Sequence, residues 1–311
     1  MISLAYYVTF RKADESISVG IALREENAII DIPACMEALM SEGKLTEGTF
    51  VPKDMLELIE QGANFTAAVP AILSFAAEHA TSPYRVREDE ITVMAPIPRP
   101  TKNVFAVGLN YKKHNVEFTG SDDVSQYPII FTKAPTSVTG PESPVESYPQ
   151  YTDQLDYEAE LAVIIGKKGK DIPKEQALDY IFGYTIINDI SVRNRQKRTS
   201  QWFIGKSMDT HCPMGPYLAD KSEMDWPVEL EIMSRVNGET RQHSNTSLLL
   251  FDIPTIISVL SEGATLEPGD VIATGTCEGV GMGFNPPRFL KKGDVVEIEI
   301  EKLGVLKNTI V

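Results

Sequence analysis

Residues 154–166, QLDYEAELAVIIG, carry the clearest signal of the fold in this chain. Its second half, 161–165, is an uninterrupted apolar run, which is typical of a strand buried on both faces of a sheet. Its first half carries an acid at every second position, Asp156, Glu158 and Glu160. Because side chains alternate between the two faces of a strand, a continuous strand would project all three carboxylates from one face, about 7 Å apart.

The neighbouring acids allow two interpretations. Two carboxylates on one face repel each other, and burying them without compensation costs several kcal/mol each. Either the strand lies at a sheet edge with its acidic face in water, or a divalent cation offsets the charges. Asp189, just after the apolar run 184–187 where a strand would end, is a candidate third ligand. Ligation by oxygen atoms alone favours Mg²⁺ or Mn²⁺ over Zn²⁺.

Composition and charge argue against several classes of protein. The chain has 311 residues, of which 42% are hydrophobic and 23% charged, as is usual for a globular protein with a sizeable core. A formal net charge of −15 disfavours a nucleic-acid partner, because such binding depends on neutralising phosphates. The same charge repels anionic substrates, so a site for an acid must supply its own positive charge.

The sequence predicts a cytoplasmic protein with no membrane partner. No apolar run approaches the roughly 20 residues that span a bilayer, and the N-terminus has neither the basic region nor the cleavage site of an export signal. Cys35, Cys212 and Cys277 are widely spaced and form no C-x-x-C pair. This pattern fits a reducing compartment, without disulfides or a cysteine zinc site.

Two domains are predicted. Residues 94–101, MAPIPRPT, carry three prolines at positions 96–100 and form the best linker in the chain. The boundary placed there gives a smaller mixed α/β N-terminal domain at 1–96 and a strand-rich catalytic domain at 97–311.

Periodicity and turn residues predict the elements within these domains. A hairpin is expected at 17–32, and Asn237-Gly238 is a strong signal for a type I′ hairpin turn. Helices are expected at 53–61, 66–80, 174–182 and 253–262. Strands are expected at 228–236, 271–273 and 295–300.

His114 and Glu117 form a second constellation, in the stretch GLNYKKHNVEF. Positions i and i+3 share one face of a helix, so the carboxylate would orient the imidazole and raise its basicity, as a general base requires. A surface pair without function is the alternative. The turn-like residues 108–111, which follow the apolar run 104–107, favour the functional interpretation.

Positive charge and a glycine-rich loop complete the candidates. Lys206 lies in the otherwise uncharged stretch WFIGKSM, and Arg193 and Gln196 follow Asp189 closely enough to share its site. The loop 274–283, TGTCEGVGMG, is followed by FNPPR, which cannot open the helix of a dinucleotide-binding motif. Either its backbone N–H groups approach a small anion, or it is a plain connecting loop.

Together these motifs resemble the fumarylacetoacetate hydrolase family. The matching stretches run in the family's order from about position 104 to the C-terminus: GLNYKKH, FTKAPTSVTGP, LDYEAELAVIIGK, NDISVRNRQ, GKSMDTHCPMGP, VNGETRQHSNTS, TGTCEGVG and NPPRFLKKGD. The resemblance implies an α+β, strand-rich fold, in which the C-terminal domain is a mixed β-sandwich roll. It also implies a homodimer.

The resemblance assigns roles to individual residues. The implied ligands of Mg²⁺ or Mn²⁺ are Glu158, Glu160 and Asp189. The implied catalytic residues are His114 and Glu117, a general-base pair on a lid, and Lys206. The implied substrate contacts are Arg193, Gln196, Thr276 and Tyr111. Asp156 is not among the matched ligands, although the spacing alone does not exclude it.

The function implied by the resemblance is metal-dependent cleavage of a C–C bond. The substrate would be a small anionic 2-oxo acid, a 2,4-diketo acid such as acetylpyruvate or fumarylpyruvate, and the products pyruvate and a carboxylic acid. Decarboxylation of oxaloacetate and isomerisation of a hydroxymuconate-type acid are alternatives that use the same metal-stabilised enolate. A non-catalytic binding protein would be expected to lack a metal carboxylate or the His–Glu pair, and all five residues are present.

Overall fold

The computed structural model describes residues 5–46, 48–79 and 82–311. The strands are β1 (Tyr6–Arg11), β2 (Ile17–Leu23), β3 (Ala28–Asp31), β4 (Arg85–Arg87), β5 (Thr92–Val93), β6 (Val104–Gly108), β7 (Ile129–Lys133), β8 (Val138–Thr139), β9 (Pro144–Val145), β10 (Leu155–Asp156), β11 (Ala159–Ile165), β12 (Gly169–Lys170), β13 (Ile181–Asn188), β14 (Ser191–Val192), β15 (Cys212–Asp220), β16 (Glu231–Val236), β17 (Glu239–Asn245), β18 (Thr265–Leu266), β19 (Val271–Ala273), β20 (Val295–Ile300) and β21 (Gly304–Ile310). The α-helices are α1 (Ile32–Ser41), α2 (Met55–Gln61), α3 (Ala63–Thr66), α4 (Val69–Glu78), α5 (Lys112–Thr119), α6 (Arg193–Gln196), α7 (Phe203–Lys206) and α8 (Ile253–Ser261). None of these helices is long and apolar enough to cross a membrane.

Two large sheets organise the chain. A 12-stranded sheet runs in the order β4-β3-β2-β1-β15-β13-β11-β19-β6-β7, with β5 beside β1 and β8 beside β15. A five-stranded sheet runs β17-β16-β20-β21-β9. Most neighbours are antiparallel, but β19 pairs with β6 in parallel, which makes the large sheet mixed. The strand-rich α+β fold predicted from the sequence is confirmed.

The strand β11 lies at the centre of the large sheet and is buried on both of its faces. Leu161, Val163 and Ile165 face a core shared with the five-stranded sheet. Ala162 and Ile164 face a second core, shared with α1, α2 and α4. Burying each large apolar side chain contributes about 1.5–3 kcal/mol, so the apolar run in this strand stabilises both layers at once.

The stretch 154–166 is not one continuous strand. The interpretation that one strand carries all three acids on the same face is therefore corrected. The short strand β10 ends at Asp156 and pairs with β14, whereas β11 begins at Ala159 and pairs with β13 and β19. Tyr157 and Glu158 lie in the break between them. Asp156 is therefore not required to share a face with Glu160.

Most of the elements predicted from periodicity are confirmed. The hairpin β2–β3 forms, the helices α2 and α8 match two of the predicted ones, and α4 begins at Val69 with a proline in its first turn. The predicted end of that helix at Ala80 lies outside the described residues. The turn Asn237-Gly238 has φ of 54° and 80°, as a type I′ hairpin requires.

The predicted helix at 174–182 is shorter than expected and is a 3₁₀ helix. Residues Lys174–Tyr180 form a 3₁₀ helix, and the chain then enters β13 at Ile181. The reason is tertiary: Ile181 pairs with Ile165 of β11, so the central sheet takes the end of the segment as a strand.

The proline-rich linker is an irregular segment, as predicted, but the large sheet continues across it. The strand β1, before the linker, pairs with β15, after it, through Tyr6 opposite Ala219. The hydroxyl of Thr9 also donates to the carbonyl of Pro96 at 2.6 Å. The division at 96/97 stays a prediction.

Candidate active site

Three carboxylates meet at one end of the central strands. Glu160 is the second residue of β11, Glu158 lies just before that strand, and Asp189 follows the last residue of β13. Because Ala159 pairs with Asn188, the start of β11 lies beside the end of β13, and the Asp189 N–H donates to the Glu158 carbonyl at 2.9 Å. Each residue offers an oxygen atom, and these atoms lie within 4.8 Å of one another. All three residues are buried, and we call them the carboxylate floor.

Buried cations balance much of this charge. The Lys206 ammonium lies 2.7 Å from the Glu158 carboxylate and 2.6 Å from that of Asp189. The Lys133 ammonium lies 2.6 Å from the other oxygen of Asp189, and the Arg193 guanidinium 2.7 Å from the other oxygen of Glu158. Burial alone would raise the pKa of Glu158, but Lys206 and Arg193 hold it below its ordinary value.

Glu160 is the member of the floor with the least compensation. Its carboxylate accepts the Gly275 N–H at 2.8 Å. Burial and the nearby charges of Asp189 and Glu158 raise its pKa well above the ordinary value. A divalent cation would remove that cost, and a set of carboxylate oxygens at this spacing suits Mg²⁺ or Mn²⁺. The residues present therefore fit the metal that the sequence predicted.

Asp156 is buried beside the floor and is fully used by other partners. It accepts the N–H of Gly281 at 2.6 Å and of Met282 at 3.0 Å, and the Arg193 Nε–H at 2.8 Å. A Cβ on Gly281 would lie 2.6 Å from the Asp156 carboxylate, so the loop needs glycine at this point. Asp156 thus anchors the glycine-rich loop and Arg193.

The predicted general-base pair forms on α5, which we call the lid helix. His114 Nδ1 and Glu117 Oε2 are 3.0 Å apart, and the other Glu117 oxygen accepts the Gly279 N–H at 3.0 Å. Glu117 therefore orients the imidazole and ties the lid helix to the glycine-rich loop. A Cβ on Gly283 would meet the Glu117 carboxylate at 1.8 Å, so this residue also lets the lid helix approach.

The four residues predicted to contact the substrate differ in whether they line the pocket and in whether they have a free hydrogen-bond donor. Gln196 and Thr276 line the pocket above the floor. The Thr276 hydroxyl donates to the Ala159 carbonyl at 2.9 Å and accepts from Gln242 Nε2 at 2.8 Å, so its proton is already committed. Tyr111 is buried in the main core and is not among the residues that line the pocket. Arg193 pairs with Asp156 and Glu158 and is not among the residues that line the pocket, and its Nη2 is buried without a hydrogen-bond partner in the described part of the chain.

The pocket has a polar base and an aromatic side. About 260 Å³ of space, part of it open to solvent, lies between Glu158, Glu160, Lys206 and the lid helix. Phe118, Phe131 and Trp202 form its apolar side, and we call them the aromatic wall. The ring of Trp202 lies 5.9 Å from that of Phe118 and 5.2 Å from that of Phe131, between centroids.

Sequence reasoning missed several residues that shape this site. Lys133 and Gln242 are fully buried and hold Asp189 and Thr276. In the sequence, each could have been found as a polar residue within an apolar or alternating strand pattern, such as Lys133 in IIFTK. The aromatic wall had no such signal, because its three residues come from separate segments.

A family profile described as Fumarylacetoacetate (FAA) hydrolase C-terminal matches residues 103–311, which include every residue of the floor, the lid helix and the wall. The chain belongs to the fumarylacetoacetate hydrolase family. The resemblance predicted from the motifs is thereby confirmed.

Three known proteins are similar to this chain over most of its length. It is 46% identical over 284 residues to the oxaloacetate tautomerase YisK of Bacillus subtilis (strain 168), covering 91% of this chain and 94% of that one. It superposes on a fumarylacetoacetate hydrolase from Exiguobacterium antarcticum with a TM-score of 0.80, 36% identity and coverage of 98% and 99%. A maleylpyruvate hydrolase from Sphingobium sp. SYK-6, solved with manganese(II) and pyruvate, gives a TM-score of 0.73, 28% identity and coverage of 98% of each chain.

Proposed function

We propose that the protein moves a proton on a short 2-oxo acid in a metal-dependent reaction, and that the reaction is the keto–enol tautomerisation of oxaloacetate. One observation carries this proposal: the paired imidazole of His114 lines the same small, enclosed pocket as Glu158, Glu160 and Lys206. The similarity to an oxaloacetate tautomerase over most of the chain supports this choice of substrate.

The lid helix would supply the base. Nδ1 of His114 is hydrogen-bonded to Glu117, so Nε2 is the nitrogen left to take a proton from carbon 3 of the acid. Glu117 holds the ring in that tautomer and stabilises the imidazolium that forms. Returning the proton to the 2-oxo oxygen completes an isomerisation that needs no water and loses no carbon.

The base of the pocket would hold the acid. The ammonium of Lys206 is a buried donor that suits a carboxylate oxygen, and Gln196 offers a neutral contact. We assign Glu158, Glu160 and Asp189 as ligands of Mg²⁺ or Mn²⁺. When bound there, the ion would act as a Lewis acid on the oxygens of the 2-oxo acid.

Hydrolysis of a 2,4-diketo acid, the activity first predicted from the sequence, is the second candidate. It would use the same base on a water molecule and the same donors on the substrate. The structural similarity to a maleylpyruvate hydrolase supports it. The oxaloacetate decarboxylase, the hydroxymuconate-type isomerase, the homodimer and the cytoplasmic location stay predictions.

A panel of substrates tests the proposal. The Mn²⁺-loaded protein is incubated separately with oxaloacetate, acetylpyruvate and fumarylpyruvate, followed by enol absorbance and by NMR, with a chelator as control. Faster keto–enol equilibration of oxaloacetate without release of pyruvate is the expected result. Pyruvate with acetate from acetylpyruvate would favour the hydrolase, and pyruvate with CO₂ from oxaloacetate the decarboxylase. No acceleration with any of the three would overturn the proposal.

A further inference from the structure

Trp202 packs against the backbone at the end of β6, the neighbour of the edge strand β7 in the large sheet. A Cβ on Gly108, the last residue of β6, would lie 2.4 Å from Cζ3 of the Trp202 ring and 2.8 Å from Cη2. Only glycine therefore allows the indole to pack so closely on this strand. The ring is half-buried, and its position is set by backbone on this side.

The other two rings of the aromatic wall connect Trp202 to both halves of the site. Phe118 belongs to the lid helix and lies 6.2 Å from the His114 ring, between centroids. Phe131 belongs to β7, and the Lys206 ammonium lies 4.9 Å from its centroid. Phe118 and Phe131 thus lie beside the groups that would hold and deprotonate the acid, and none of the three rings of the wall carries a charge.

The size of the enclosed space limits what can extend toward the wall. Pockets that bury drug-sized ligands are about 300–1,000 Å³, whereas the space open to a water-sized molecule here is only about 10 Å³. An acid held at its carboxylate end by Lys206 and by a metal ion on the floor would direct its far end at the rings. A longer chain would have to displace an indole that the Gly108 backbone holds in place.

We propose that Trp202 sets the length of the substrate, so that the site accepts short 2-oxo acids and excludes those whose chain extends further. This inference rests on the proposed function for the class of substrate, but not on which reaction follows proton transfer. Trp202 acts as a specificity residue, since it would contact the distal end of the acid and not the reacting atoms.

The test uses straight-chain 2-oxo acids of four to eight carbons. Exchange of the C3 protons in D₂O is followed by NMR with the Mn²⁺-loaded enzyme, because exchange reports proton transfer whatever the later chemistry. We expect kcat/KM to fall about tenfold or more between the short and the long acids, since misfit by single methylenes in a fixed pocket has effects of this size. In Trp202→Ala the fall is expected to disappear, and in Trp202→Phe to be partly restored.

A matched control is Phe203→Ala, an exposed aromatic neighbour that should keep the wild-type length profile. A wild type without length preference, or a Trp202→Ala variant that keeps it, would overturn the inference. Thermal shifts of the Mn²⁺-loaded proteins with the same acids measure fit without catalysis. A length limit that Trp202→Ala removes in binding, with no exchange in the wild type, would support the inference and overturn the proposed function.

Discussion

The carboxylate floor and the lid helix contribute to one pocket but are built in opposite ways. The floor stands at the ends of central strands, its residues are at most 4% exposed, and buried cations pair with two of its three carboxylates. The lid helix has eight residues, no side-chain cap at its N-terminus, and exposed residues on its outer face. The floor carboxylates thus lie at the ends of buried central strands, whereas the proposed base, His114, lies on a short helix with an exposed outer face.

Removing a charge from the floor should have the largest effect. In Asp189→Ala, Lys133 and Lys206 lose the carboxylate between them, and breaking a buried pair costs about 3–5 kcal/mol. We expect the free energy of unfolding in urea, measured with excess chelator so that metal does not contribute, to fall by about that amount and activity to be lost. The control is Asp209→Ala, at an exposed position three residues after Lys206 in the sequence. A loss equal to that of the control would contradict the account of the floor.

Removing the base from the lid helix should affect activity but not folding. A positioned general base contributes about 10²–10⁴ to the rate, so His114→Ala is expected to lower kcat by that factor. The urea midpoint should stay close to that of the wild type, because Glu117 still accepts the Gly279 N–H and keeps the lid helix tied to the glycine-rich loop. His243→Ala replaces an exposed histidine and serves as the control. Unchanged activity in His114→Ala would mean that another group takes the proton.

Changing the partner of the base should have a smaller effect. Glu117→Gln keeps an acceptor for the Gly279 N–H but loses the charge that orients His114. Hydrogen bonds to charged groups contribute about 1.5–3 kcal/mol, so kcat should fall about ten- to one-hundred-fold. Glu262→Gln, at an exposed position, is the control and should leave kcat unchanged. An effect equal to that of His114→Ala would instead assign Glu117 a direct role.

The smallest effect is expected at the rim of the lid helix. Lys113 and Glu278 form an ion pair at 3.1 Å, with the lysine side chain 75% exposed. Exposed pairs contribute little, so Lys113→Ala should change kcat/KM less than about fivefold, and less still at high salt. A larger loss that persists in salt would show that the lid helix depends on this pair for its position.

The central strand and the reactive groups can be recognised in the amino-acid sequence alone. The apolar run 161–165 required a strand buried on both faces, and the acids before it required compensation. The spacing of His114 and Glu117 required one helical face. These features are local, because the period of a strand or helix is fixed by the backbone and is visible in a few consecutive residues.

The partner of each charged group is visible only in the tertiary structure. Lys133 reaches Asp189 across 56 positions, and Asp156 binds Gly281 across 125, so no local pattern announces either contact. No local pattern predicts the aromatic wall or the strand that ends the predicted helix at 174–182. No local pattern shows either that Tyr111 packs in the core and does not line the pocket. Such contacts follow from how strands pair and layers pack, and this depends on the whole chain at once.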